Sequence, residues 1–188
     1  MEAYDVYVSV HVAAAAVWVG SAFLQALLGL RIGLAPDAER QLGFARDAEW
    51  LGMRLYLPAS LVTLVFGIPL VQESGWGFSE LWIVFGFAAI GLSTLIGMAV
   101  FGPGWAAAAR LAAAEGAASP EVRTRVERLL AFGWVDLGLL LGAVWAIAAK
   151  PSGDDTGAVA IAIAIPVATS MLGVALWRAA SLRVQPAR

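Results

Sequence analysis

The chain contains no cysteine, one histidine and one lysine among its 188 residues. Without cysteine there are no disulfides, no thiol chemistry and no thiolate metal site. The lone histidine, His11, excludes a bis-histidine haem within one chain. It also leaves the hydroxyls of Ser60, Thr63, Ser93, Thr94, Thr169 and Ser170 without an imidazole base at their own depth, which argues against a nucleophilic hydrolase. These hydroxyls are expected to bond back to the preceding helical turn. A P-loop, a dinucleotide fingerprint and an H-E-x-x-H sequence are all missing. A net charge of −2 gives no basic footprint for nucleic acid, so no nucleic-acid partner is expected. Polar stretches long enough for a soluble domain are lacking as well.

What is present is apolar. The chain is 61% hydrophobic, with a mean hydropathy of +0.80, against the ~45–50% apolar share of soluble domains. Five apolar runs occupy roughly residues 7–30, 51–71, 81–102, 129–149 and 157–177, each near the ~20 residues that cross a hydrocarbon core. The expected fold is all-α: a single domain over residues 1–188, a bundle of five transmembrane helices.

The basic residues alternate sides around these runs. None precedes the first run; Arg31, Arg40, Arg46 and Arg54 follow it. None separates the second from the third, and Arg110, Arg123, Arg125 and Arg128 follow the third. Lys150 stands alone after the fourth; Arg178, Arg183 and Arg188 follow the fifth. Basic residues near span ends stay in the cytoplasm, so the threading expected is N-terminus out and C-terminus in. The arginine-rich, alanine-rich composition points to a bacterial inner membrane. The first five residues are acidic where a signal peptide needs basic ones, so the first run reads as a retained helix.

The arginine-rich connections look helical. Pro36-Asp37 opens a helix-prone stretch at 38–50. Ser119-Pro120-Glu121 supplies a cap, a first-turn proline and an acid, for a helix expected to run unbroken into the fourth span. The connections at 73–77 and 151–155 are short and turn-like, which pairs spans two and three, and four and five, as hairpins. Pro58, Pro69 and Pro166 are expected to kink their spans. No internal repeat of the transporter kind is visible. Small residues recur every fourth position at Ala89, Ser93 and Gly97, and at Gly138, Gly142 and Ala146. Such ladders let membrane helices approach closely, and Ser93/Gly97 are expected to pack against Gly138/Gly142.

Polar residues inside the spans carry the functional expectations. His11, Trp18 and Gln25 are spaced by seven and share one helix face. That face reads as a cofactor-binding surface or proton acceptor, or more plainly as an interfacial histidine bonded to a carbonyl. Asp136 is the one carboxylate well inside a span. Unpaired and charged it would cost roughly 2.5–3.5 kcal/mol, so it needs a partner or must hold its proton. Arg54, a few residues inside the second span, is the expected ion-pair partner.

His11 followed by Val17-Trp18-Val19-Gly20, the stretch Thr63-Leu64-Val65-Phe66-Gly67, and Trp145-Ala146-Ile147-Ala148-Ala149-Lys150-Pro151 resemble a family of integral membrane proteins, domain of unknown function 2269. The likeness covers about residues 8–151 and implies a fold and a location, with no activity attached. More distantly, the first span resembles those of the copper-resistance D proteins and the bacterial haem-dependent protoporphyrinogen oxidases. That likeness implies haem b as a cofactor at His11. Three readings follow: a non-enzymatic subunit or scaffold working with membrane partners or as a homo-oligomer, a haem-binding redox protein using His11, and a small-solute or proton-coupled transporter centred on Asp136.

Overall fold

The computed structural model describes residues 2–33 and 38–183. Pro36-Asp37 and Arg188 lie outside them. The described chain forms seven α-helices: α1 (Ala3–Gly33), α2 (Ala38–Leu51), α3 (Leu57–Glu73), α4 (Leu81–Ile96), α5 (Gly102–Glu115), α6 (Pro120–Ala149) and α7 (Thr156–Arg183). Two π-helical segments, Gly52–Tyr56 and Gly97–Phe101, join α2 to α3 and α4 to α5.

These elements make five helices long and apolar enough to cross a bilayer: Ala3–Arg31, Ala38–Glu73, Leu81–Glu115, Pro120–Ala149 and Thr156–Ala179. The second and third have 36 and 35 residues. At 1.5 Å per residue they run to about 50 Å, well beyond a hydrocarbon core of ~30 Å. The excess lies on the arginine-rich side, as α2 and α5. There Phe44 and Ala45 of α2, Trp105 and Ala108 of α5, and Val126 and Leu129 of α6 bury one another. Apolar contact therefore continues past the spans into a helical cap.

α6 is the central helix. Its most apolar stretch is 44% buried, against 11% for that of α7. It begins as its sequence dictates: Ser119 caps it, its hydroxyl accepting from the Glu121 N–H at 3.3 Å, with Pro120 in the first turn. It then runs unbroken to Ala149. At mid-depth Trp134, Leu137 and Leu140 of α6 pack with Trp18, Ala22 and Ala26 of α1.

The small-residue ladder of α6 has a different partner from the one expected. A Cβ on Gly138 would lie 2.8 Å from the Pro166 carbonyl oxygen, and one on Gly142 would lie 3.0 Å from that of Ala162. Both glycines face α7, not α4. The cause is Pro166 inside α7: its ring needs a groove without side chains, and its missing N–H leaves the Ala162 carbonyl without its usual helical donor. α4 instead meets α6 through Gly86, whose Cβ would touch Ile147 at 3.6 Å, and through buried Ala89 and Ser93.

The far turn explains the stray basic residue. Lys150 ends α6 in the left-handed region (φ 48°), its N–H donating to the Ala146 carbonyl. Its Nζ lies 5.0 Å and 5.4 Å from the ring centroids of Trp76 and Trp82, which meet edge to face. The ammonium is held on aromatic faces and ties the two turns on that side together.

Candidate functional site: a cavity ending at Asp136

The site begins with two prolines. A helical proline offers no N–H and its ring collides with the carbonyl four residues back. Before Pro58 the chain widens: the Leu57 N–H donates to the Gly52 carbonyl, five residues back. Before Pro103 it does the same, Gly102 donating to Gly97. Such π turns re-aim the side chains around them and recur at functional sites. The two stretches share a pattern, Gly-Met-x-x-aromatic-x-Pro: Gly52-Met53-Arg54-Leu55-Tyr56-Leu57-Pro58 and Gly97-Met98-Ala99-Val100-Phe101-Gly102-Pro103.

Between the two widened segments lies a cavity of about 410 Å³, within the ~300–1,000 Å³ range of ligand sites. Spans two and three therefore flank a void instead of packing tightly as a hairpin. Both π segments contribute wall: Gly52, Met53 and Tyr56 on one side, Gly97, Met98 and Phe101 on the other. α1 adds Ala22 and Gln25, and α6 adds Leu130, Gly133 and Asp136. Met53 and Met98 are open parts of the wall, at 63% and 69% exposed. The mouth consequently lies between spans two and three, near the arginine-rich boundary of the hydrocarbon.

Asp136 sits against this cavity, only 3% exposed. The Tyr56 hydroxyl donates to its Oδ2. Tyr56 has one proton to give, so at its 2.6 Å contact with Ser93 the serine Oγ–H is the donor. The order is Ser93 to Tyr56 to Asp136. The other carboxyl oxygen, Oδ1, is buried without a hydrogen-bond partner among the described residues, as is the indole Nε1 of Trp18. Trp18 packs edge to face on Tyr56 at 6.0 Å. Two orphaned polar atoms thus flank one tyrosine, in a setting where an unmade bond costs about 1–3 kcal/mol.

The expected Arg54–Asp136 ion pair is not formed. Arg54 is exposed, and its Cζ lies over the Trp50 ring, 5.4 Å from the centroid. The π turn explains this: Gly52 and Tyr56 line the cavity, and Arg54 turns out. A tyrosine hydroxyl answers one oxygen of the carboxyl, Oδ2, without dragging a guanidinium out of water.

The face of α1 is divided. Trp18 is buried and Gln25 lines the cavity. His11 is used between helices: its Nδ1 bonds the Thr63 carbonyl at 2.8 Å, and its ring lies about 3 Å from where a Cβ on Gly67 would be. It is not on the wall of this cavity. Among the described residues no three of His, Cys, Asp and Glu converge as metal ligands. Ser60, Thr63 and Ser170 bond back to the preceding turn as expected; Ser93 bonds Tyr56 instead. The residues that sequence reasoning passed over are Tyr56, Glu49 and the paired Gly-Met segments. The repetition of Gly-Met and Pro at the same spacing was the available signal.

Five bilayer-length apolar helices, with α6 at their centre, define an integral membrane protein. The chain belongs to the family described as predicted integral membrane protein, domain of unknown function 2269, whose model matches residues 5–151. Every residue lining the cavity falls within that stretch. Searches of curated proteins and of solved structures returned no match.

Proposed function

We propose that this protein binds a small solute in the cavity at Asp136 and moves it across or out of a bacterial inner membrane, with its N-terminus outside. One observation carries the reading: a buried carboxyl, one oxygen of which has no partner, on a residue that lines a ligand-sized, mostly apolar cavity. Intramembrane ionisable residues that face a cavity mark substrate or ion pathways. A purely structural scaffold gives that oxygen no use, because the ion pair that would have occupied Asp136 is replaced by Tyr56. The Ser93–Tyr56–Asp136 chain holds the carboxyl in one orientation, so a cation or proton that reaches it meets a prepared group.

The test is a thermal-shift screen of small organic solutes on purified protein in detergent, followed by uptake into proteoliposomes. Solutes that raise Tm in the wild type should lose that effect in Gly133→Phe. Gly133 lies on the cavity wall where an added Cβ meets no atom within 4 Å, so a side chain can begin there without a clash. Stabilising solutes that are indifferent to Gly133→Phe would count against the cavity as the site.

A further inference from the structure

We infer that the cavity selects a lipophilic amine, a molecule with an apolar body and an ammonium head; this rests on the binding role proposed above. Charge is the first argument. The wall carries two carboxyl groups, Glu49 and Asp136, and among the described residues no arginine, lysine or histidine lines it. An ammonium in the cavity meets the Asp136 carboxyl, one of whose oxygens is left without a partner, and gains charge attraction in a place with little water to screen it. A carboxylate or phosphate ligand meets like charge and no basic group to answer it.

The rest of the wall fits the body of such a molecule. Phe44, Tyr56, Phe101 and Trp105 contribute rings, whose faces attract cations and whose bulk holds apolar chains. The mouth fits its approach. Met53 lies in the first turn of the expected second span and Met98 in the last turn of the third, at the boundary where amphipathic molecules keep their heads. Glu49 is one turn before Met53, on the polar side of that boundary. The head meets Glu49 at the mouth and Asp136 within, while the tail need never leave an apolar medium.

The experiment uses the full chain in nanodiscs of phosphatidylcholine, with empty nanodiscs subtracted. Three dansyl probes on the same six-carbon chain are titrated by fluorescence: the free amine, its N-acetyl derivative, and the matching carboxylic acid. The amine is expected to bind about tenfold or more tighter than the acetyl derivative, with the acid weakest. Asp136→Asn should erase the amine's advantage and Glu49→Gln should reduce it. Gly133→Phe should weaken whatever binds. If the acid or the acetyl probe binds as well as the amine, and Gly133→Phe still weakens all three, the ligand class is wrong and the cavity stands. If binding ignores Gly133→Phe, the probes sit in lipid and the cavity reading falls as well. The preference among the three probes is read in the wild type, so it holds or fails whether or not Asp136→Asn folds.

Discussion

Asp136 announces itself in the sequence because a carboxyl in hydrocarbon must be answered by something. What answers it was not legible. Opposite charge nominates Arg54, but a hydroxyl on a mostly apolar ring does the same work without desolvating a cation, and nothing in the residue types ranks Tyr56 above the other polar neighbours. The two assignments predict different mutants. Tyr56→Phe leaves Asp136 Oδ2 and the Ser93 hydroxyl without their shared partner and should cost about 1–3 kcal/mol. Arg54→Ala removes only an exposed contact with Trp50, worth less than about 1 kcal/mol. Unfolding in detergent, followed by helical circular dichroism, should show Tyr56→Phe as the more damaging of the pair. The reverse order would restore the ion pair. Lys150→Ala should lower stability by about 1–2 kcal/mol, because two aromatic contacts are lost while the left-handed backbone remains. Lys150→Gly, relieving that backbone, should lose less.

At the level of elements, small residues were visible in the sequence and their partners were not. A glycine ladder says that something comes close, and the proline in α7 decides what. Gly138→Leu drives a side chain into the Pro166 backbone, which has no flexible end to move aside. A loss of about 1–3 kcal/mol or more is expected. Gly91→Leu, on an exposed face of α4 with no atom within 4 Å of the added Cβ, should be nearly silent in the same thermal melt. Equal effects would mean that the α6–α7 contact is not where these helices meet. The π segments follow from prolines that the sequence shows plainly. Pro58 was read as a kink and Pro103 was passed over; the widened turn is a second way to avoid the same collision. Restoring the N–H with Pro58→Ala permits an ordinary turn there, which would rotate Met53 and Tyr56 relative to α3. Binding in the thermal-shift assay should weaken while helix content holds.

For the whole molecule, hydropathy alone was enough to count the spans, because each must bury its own backbone polar groups in one uninterrupted helix. The helical character of the arginine-rich connections was also legible, from the cap at Ser119 and the pattern at 38–50. The cavity was not, since a void belongs to several helices at once and no single segment encodes it. Orientation is a separate expectation: a C-terminal reporter active only in the cytoplasm should function, and one active only outside should be silent. The opposite result would place α2, α5 and the mouth of the cavity beside the outer leaflet.

If the proposed ligand enters between Met53 and Met98, at the edge of the hydrocarbon, the bilayer is the reservoir from which the site is filled. Occupancy then follows a molecule's concentration in lipid, and each methylene added to a ligand raises that concentration roughly fourfold, at about 0.8 kcal/mol per CH₂. A site with modest intrinsic affinity would look tight to anyone counting aqueous molecules. Referred to total ligand, the apparent dissociation constant should rise in proportion to the lipid added at fixed protein; referred to free aqueous ligand it should stay constant, and what should grow with each methylene is the association rate.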